Sequence, residues 1–253
     1  MQFKIIQKPS TKNNLFIIDT FDALDTLPSL SAQEKAYCQS KFKKEQYFVS
    51  LNQYDGYTFV YCLKFEKQPW LSAEALRKTG AEIQAIAAAN KIEQVTIQSL
   101  SATTDAAYLI AEGMALSNYQ FLKYRSDAEK KRSSLQTIAF DKKSITNLQL
   151  SQLTTTIEAI YYARTLVNEP LNYLSAEQLS KEISALGKKS GFKTTVLNKA
   201  QITKEKMGGI LAVNRGSQQP PTFTIMEYKP AKPINKKPIV LVGKGIVYDT
   251  GGL

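Results

Sequence analysis

Short runs of β-branched and aromatic residues alternate with helical segments along the first 140 or so residues of this 253-residue chain. Five runs predict strands: FKIIQ, NLFIIDTF, YFVSL, YTFVYCLKF and QVTIQSL. Apolar residues at helical spacing predict helices from Ser72 to Asn90 and from Asp105 to about Tyr119. Strands that alternate with helices of this length form a mostly parallel sheet with helices on its faces. We therefore expect an α/β fold for this part of the chain.

A polar and charged stretch between Tyr124 and Asn147 separates this part from the rest, and within it only LQTIAF resembles a strand. We place a boundary near residue 145, which predicts an amino-terminal α/β domain over 1–145 and a second domain over 146–253. Helices are predicted from about Ser151 to Asn168 and from Ser175 to Gly191, where serine and glycine are typical caps. The remaining predicted elements of the second domain are strands at KTTVLN, PPTFTIMEYKP and Val240–Val242, and a short helix that turns into a strand at ITKEKMGGILAVNRGS.

Histidine is absent, which removes whole classes of chemistry. Without it the chain has no Ser/His/Asp or Cys/His triad, no zinc finger and no H-E-x-x-H metalloprotease motif. The two cysteines, Cys38 and Cys62, form no C-x-x-C metal motif and read as buried thiols in a reducing compartment. No signal peptide or membrane-spanning run is visible, so we expect a cytoplasmic protein without a membrane partner.

The net charge of +11 is uneven along the chain. Residues 1–150 hold 19 basic and 15 acidic side chains, whereas residues 151–253 hold 14 basic and 7 acidic ones. A basic surface can bind nucleic acid. Here, however, the lysines of the second part are scattered on a predicted helix and its connection, without interleaved aromatic residues. We therefore expect a solvated face or a contact with an acidic partner segment, and not a nucleic-acid site.

The segment IVLVGKGIVYDTGGL, from Ile239 to Leu253, predicts a buried strand that runs into a glycine-rich turn. It matches neither the phosphate loop G-x-x-x-x-G-K-[ST] nor the dinucleotide pattern G-x-G-x-x-G. Lys244 and Asp249 leave this strand and turn, and two interpretations stay open from these residues alone. Both side chains could bind a cation, the lysine in its deprotonated form; alternatively, Asp249 caps the turn and Lys244 is its salt-bridge partner.

Four stretches resemble, in order and spacing, the leucyl or cytosol aminopeptidase family of two-metal exopeptidases. They are ARTLVNEPLNYLSAEQL from Ala163, MGGILAVNRGSQQPP from Met207, Tyr228, and VGKGIVYDTGGL from Val242. The resemblance covers about residues 150–253. It implies that the second domain is the start of an α/β/α catalytic domain, and that a variable α/β domain precedes it.

The resemblance implies that Lys244 and Asp249 are ligands of two divalent cations, Mn²⁺ or Zn²⁺. It further implies hydrolysis of the first peptide bond of peptides with a free amino terminus, by a metal-activated water, in a hexamer. Asn168, Pro170 and Asn172 correspond to a structural turn, while Gly216, Pro220 and Pro221 correspond to a rigid loop. Tyr248 stands where the family usually has phenylalanine.

The family's other site residues have no counterpart in this sequence: a second lysine, further aspartates, an acidic pair and an arginine. No catalytic residue is therefore predicted within the chain. We expect a chain that stops early in its catalytic domain and is inactive and poorly soluble alone. Two alternatives remain, a non-catalytic relative that binds protein or nucleic acid, and an unrelated domain that binds a nucleotide at the glycine turn.

Overall fold

The computed structural model describes residues 1–101 and 105–246. The chain divides into two compact units, Met1–Arg164 and the residues from Thr165 onward. The first unit contains a six-stranded sheet in the order β1-β6-β5-β2-β4-β3. All neighbouring strands are parallel except β3 and β4, which confirms the predicted mostly parallel α/β sheet. The strands are β1 (Gln2–Ile6), β2 (Asn14–Ile18), β3 (Phe48–Asn52), β4 (Tyr57–Cys62), β5 (Gln94–Ser99) and β6 (Thr137–Asp141).

Helices cover both faces of this sheet, so an apolar cluster lies on each face. Strand β2 contributes side chains to both clusters. All five residues of β2 are buried. Leu15 and Ile17 belong to one apolar cluster, whereas Phe16 and Ile18 belong to the other. This division follows from the alternation of side chains along a strand. The helices of the first unit are α1 (Ala32–Phe42), α2 (Pro69–Ala89), α3 (Asp105–Asn118), α4 (Ala128–Lys131) and most of α5 (Asn147–Asn168).

Helices α2 and α3 cross at two glycines that have no room for a side chain. A Cβ atom added to Gly80 would lie 2.1 Å from the carbonyl oxygen of Ile110, and one added to Gly113 would lie 2.0 Å from that of Arg77. Near this crossing, Arg77 Nε donates a 2.6 Å hydrogen bond to the carboxylate of Glu112. The missing side chains therefore allow the two helix backbones to pack directly against each other.

The second unit is smaller and less buried over its described residues. Its elements are α6 (Ala176–Ser190), β7 (Lys193–Leu197), α7 (Lys199–Lys204), α8 (Gly208–Val213) and β8 (Phe223–Glu227). Strands β7 and β8 form an antiparallel pair. Helix α6 has the predicted caps: Ser175 Oγ accepts a hydrogen bond from the Gln178 amide, and Gly191 adopts a left-handed conformation with φ 79°.

Three predictions in the chain were wrong in detail. Helix α2 begins at Pro69 and not at Ser72, because proline suits the first helical position and Ser72 Oγ instead accepts a hydrogen bond from the Glu66 amide. Helix α5 begins at Asn147, four residues before Ser151. The run ILAV lies within the helix α8 and not in a strand, since such a short apolar run has no distinguishing periodicity.

The predicted strand at Val240–Val242 is also wrong. The segment has no regular secondary structure, and Val240, Leu241 and Val242 are 73%, 92% and 92% exposed. A strand of this composition forms when neighbouring strands and covering helices bury both of its faces. The described part of the second unit provides only the pair β7 and β8, so this apolar run is left outside a sheet.

Candidate metal-binding segment

Lys244 lies in the irregular segment 239–246 of the second unit. Its side chain is exposed, and it forms no ion pair with any residue in the described ranges 1–101 and 105–246. The predicted salt bridge between Lys244 and Asp249 concerns residue 249, which lies outside those ranges, as does Tyr248. The amine of Lys244 is thus accessible to a ligand from solvent.

The described residues bring no group of three or more cysteine, aspartate or glutamate side chains close enough to hold a metal ion. Lys244 is therefore the one predicted ligand that the described ranges contain, and Asp249 remains a prediction from the sequence. The described ranges thus contain no acidic cluster of three or more side chains that was missed at the sequence level. A metal centre at Lys244 with three or more acidic ligands would need carboxylates from outside the described residues.

Helix α6 is the regular element beside this segment. A Cβ atom built at Gly245 would lie 3.9 Å from Leu179 Cδ2, which is ordinary van der Waals contact. Leu179 is the last residue of the motif that begins at Ala163, so two of the four family-like stretches meet here. The backbone next to Lys244 therefore lies near α6, beside a residue of another motif.

A turn and a hydroxyl cluster hold α6 in place. After α5 ends at Asn168, the carbonyl oxygen of Pro170 accepts hydrogen bonds from the amides of Tyr173 and Leu174, and Ser175 then caps α6. The buried Ser180 Oγ contacts the hydroxyls of Thr222 and Thr224 at 2.8 and 2.9 Å, which joins α6 to β8. These bonds agree with a structural role for the turn around Asn168, Pro170 and Asn172.

The stretch between α8 and β8 is a short loop closed by one side chain. Asn214 Nδ2 donates a 2.8 Å hydrogen bond to the carbonyl oxygen of Gln219. Gly216 lies within this loop, Pro220 follows it, and Pro221 is buried at the start of the path into β8. The loop thus leads into β8, and the Asn214 side chain is engaged within the loop itself.

The lysines of the second unit form a solvated basic surface. None of them is ion-paired to an acid in the described part of the chain. The members on α6, β7 and α7 and in the connections between them are all exposed: Lys181, Lys188, Lys189, Lys193, Lys199, Lys204 and Lys206. From the sequence we expect either a solvated face or a contact with an acidic partner segment. The exposed lysines form a solvated face, and the contact with an acidic segment stays a prediction. No helix within the described ranges has the length and apolar character that crossing a membrane requires.

Comparison with known proteins connects the motif region to one family. A sequence model of the cytosol aminopeptidase family, catalytic domain, matches residues 161–253. A probable cytosol aminopeptidase from Chlorobaculum parvum is 58% identical over 91 residues, which are 36% of this chain and 18% of the relative. A probable cytosol aminopeptidase from Protochlamydia amoebophila is 36% identical over 191 residues, which are 72% of this chain and 38% of the relative.

Two solved structures show that the likeness in fold extends over most of the chain. A mutant of tomato leucine aminopeptidase aligns with a TM-score of 0.69 at 17% identity, over 92% of this chain and 52% of that one. The bottromycin maturation enzyme BotP in complex with Mn aligns with a TM-score of 0.63 at 18% identity, over 87% of this chain and 46% of that one. At such identities the likeness shows the fold.

The chain spans at most 40% of the length of the curated relatives compared with it. The matched residues include the turn after α5, helix α6, the loop before β8 and the segment that carries Lys244. Because the family model, the relatives and the fold agree, the chain belongs to the cytosol aminopeptidase family.

Proposed function

We propose that this chain is the amino-terminal part of a metal-dependent aminopeptidase, which removes amino-terminal residues such as leucine from peptides. The observation that carries this proposal is the match of residues 161–253 to the family's catalytic domain, because this range contains both Lys244 and Asp249. We keep the arrangement inferred from the sequence, with an amino-terminal domain over 1–145 and the start of the catalytic domain over 146–253. The name of the relatives supports the cytoplasm as the location, and the family resemblance supports a homohexamer.

Lys244 and Asp249 are the residues proposed to hold two divalent cations. The exposed and unpaired amine of Lys244 fits this role as a nitrogen ligand. Asp249 would supply a carboxylate oxygen, the ligand that such ions prefer. When bound, a pair of divalent cations supplies an activated water and polarises the scissile carbonyl. The Mn in BotP, a structural neighbour, supports manganese as a candidate, with zinc as the other.

The 253 residues alone are proposed to be inactive as a peptidase. Two ligands do not hold a two-metal centre, and the described residues contribute no acidic cluster to complete it. The role of this chain is then to provide the first two ligands, together with helix α6, which lies beside the segment that carries Lys244. The rest of the centre would come from residues that the relatives have and this sequence lacks.

A chimeric protein tests this function directly. Residues 1–253 are joined to the part of the Protochlamydia amoebophila relative that follows its matched segment, and hydrolysis of leucine p-nitroanilide is measured with added Mn²⁺. The chimera should hydrolyse the substrate and the 253-residue chain should not. Lys244→Ala and Asp249→Ala should each lower kcat/KM by about 100-fold or more, since each removes a ligand.

Lys237→Ala is the matched control, because Lys237 is an exposed lysine just ahead of the same segment. Its activity should equal that of the unchanged chimera. Full activity in both the Lys244 and the Asp249 variants would show that these residues are not ligands. Hydrolysis by the 253-residue chain itself, lost on chelation, would refute its proposed inactivity.

The basic surface of the second unit supports a second candidate function, a non-catalytic protein that binds nucleic acid or an acidic protein. Its exposed lysines are unpaired in the described part of the chain. Binding of this kind weakens steeply with salt because counterions are released from the nucleic acid. Retarded migration of duplex DNA at low salt, abolished by moderate salt, would favour the nucleic-acid form of this candidate, whereas migration unchanged at low salt would remove that form.

A further inference from the structure

The first unit has a cavity at the carboxyl ends of β1 and β6. The two strands are parallel, with Ile6 opposite Asp141, so both strands end at the same edge of the sheet. The cavity measures about 630 Å³. This volume lies in the range typical of small-molecule sites, and the cavity is open to solvent at the carboxyl ends of two parallel strands. The lining residues whose side chains can reach a ligand are Ile5, Gln7, Lys142, Lys143, Thr146 and Asn147.

Two lysines give this cavity its charge. Lys142 and Lys143 are exposed and form no ion pair with any acid in the described ranges. The acid next to them in sequence, Asp141, has its Oδ1 atom occupied by the amide and the hydroxyl of Ser144. Because Ser144 is completely buried, the Oδ1 atom of Asp141 is engaged in an internal turn, and Asp141 forms no ion pair with either lysine. The lysine ammonium groups are therefore available to an anion from solvent.

The remaining walls favour a ligand with more than one chemical group. Gln7 and Asn147 add amide groups, and the half-buried Ile5 adds apolar surface, whereas Ile145 is only 2% exposed. The start of α5 is already capped: Gln149 Oε1 accepts from the Thr146 amide, and Thr146 Oγ1 accepts from the Gln149 amide. The anion would consequently be held by the lysines, which bind phosphate as mobile point charges.

We propose that the cavity at the ends of β1 and β6 binds a small phosphorylated molecule through Lys142 and Lys143. This site lies in the first unit, remote in sequence from Lys244 and Asp249, and it does not depend on peptidase activity. Inorganic pyrophosphate and ADP share the phosphate chemistry. Comparing them distinguishes a site for the anion alone from one that also binds the organic part.

Isothermal titration calorimetry of the 253-residue chain at low salt, with each probe in turn, tests the proposal. Saturable binding of at least one probe is expected. The affinity should be higher for ADP than for pyrophosphate if Ile5 contacts the organic part of the ligand. The double variant Lys142→Gln/Lys143→Gln should weaken it about tenfold or more, because two charged hydrogen bonds are lost. The matched control is Lys130→Gln/Lys131→Gln, which removes two exposed neighbouring lysines of the same unit.

The control pair should retain the affinity of the unchanged chain, and circular dichroism melts should show all three proteins folded. The absence of saturable binding for both probes would overturn the proposal. An equal loss in both lysine pairs would also overturn it, since that result indicates a general charge effect. Unchanged affinity in Lys142→Gln/Lys143→Gln would place the anion elsewhere.

Discussion

The hydroxyl of Tyr161, on α5, donates a 2.6 Å hydrogen bond to the carbonyl oxygen of Ala115 in the last turn of α3. One turn further along α5, Arg164 donates to the carbonyl oxygen of Leu116 at 2.6 Å. These carbonyls lie at the carboxyl end of a helix, where they lack partners within the helix. The family match begins at residue 161, so the first matched residues still stabilise the first unit.

Tyr161→Phe should destabilise the chain by about 1 to 2 kcal/mol, because the Ala115 carbonyl loses its donor while the ring remains packed against Tyr119. Urea unfolding followed by circular dichroism measures the change. Tyr54→Phe is the matched control, since Tyr54 is fully exposed, and it should leave the free energy of unfolding unchanged. Equal stability of Tyr161→Phe and the unchanged protein would rule out the bond.

Gly113→Ala should destabilise the first unit by about 2 kcal/mol or more, although alanine normally favours a helix over glycine. The added Cβ would lie 2.0 Å from the Arg77 carbonyl oxygen, so α2 and α3 would have to separate. Gly208→Ala in α8 is the control, because nothing lies within 4 Å of its added Cβ. The melting temperature should fall for Gly113→Ala but not for Gly208→Ala. A Gly113→Ala protein as stable as Gly208→Ala would contradict the direct backbone packing.

Thr194→Val should stabilise the chain by about 1 kcal/mol. Thr194 Oγ1 is buried in β7 and has no hydrogen-bond partner within residues 1–101 and 105–246, and an unsatisfied buried hydroxyl costs about 1 to 3 kcal/mol. Thr195→Val makes the same chemical change at the exposed next residue and should alter stability by less than about 0.5 kcal/mol. Denaturant midpoints compare the two variants, and a lower midpoint for Thr194→Val than for Thr195→Val would argue for a missed partner.

Alkaline pH should destabilise the first unit. Burial raises the pKa of the Cys38 thiol from 9.0 to about 11 and that of the Cys62 thiol likewise to about 11. Burial also raises the pKa of Tyr161 from 10.0 to about 12. The unfolded chain then releases these protons at lower pH than the folded one does, so their stabilising contribution is complete below pH 9 and is lost as the pH rises through 11 to 12.

Melting temperatures between pH 8 and 11 should therefore fall, and both thiols should resist iodoacetamide in the folded chain at pH 8 while reacting in urea. The variant Cys38→Ala/Cys62→Ala should show a shallower decline with pH. If this variant declined as steeply as the unchanged protein, the thiols would not be responsible. Rapid labelling of the folded chain would show that the two cysteines are accessible.

The sequence predicted best those elements whose signals are local. The strand at β2 and both ends of α6 were confirmed, because β-branched runs, the Ser175 cap and Gly191 act within a few residues. The predicted start of α2 was wrong because two residues, Pro69 and Ser72, each signal a helix start within four positions. Packing between distant segments, such as Gly80 against Ile110, left no periodic pattern that could predict it.

The candidate site was predictable only through its motifs. Lys244 and Asp249 were selected by their place after an apolar run, yet that run is not a strand, since strand formation depends on neighbours distant in sequence. The cavity beside Lys142 and Lys143 was missed altogether. In the sequence these lysines are an ordinary charged pair, and only the parallel pairing of β1 with β6 brings Ile5 and Gln7 beside them.

Nuclear magnetic resonance of the 253-residue chain with substoichiometric Mn²⁺ tests the central claim most directly, because paramagnetic broadening detects even the weak binding expected of two ligands. Amide signals around Lys244 and Asp249 should broaden in the unchanged chain and in Lys237→Ala, and should stay sharp in Lys244→Ala and Asp249→Ala. Signals there that remain sharp in the unchanged chain, or that broaden equally in the two alanine variants, would contradict the assignment of these residues as metal ligands.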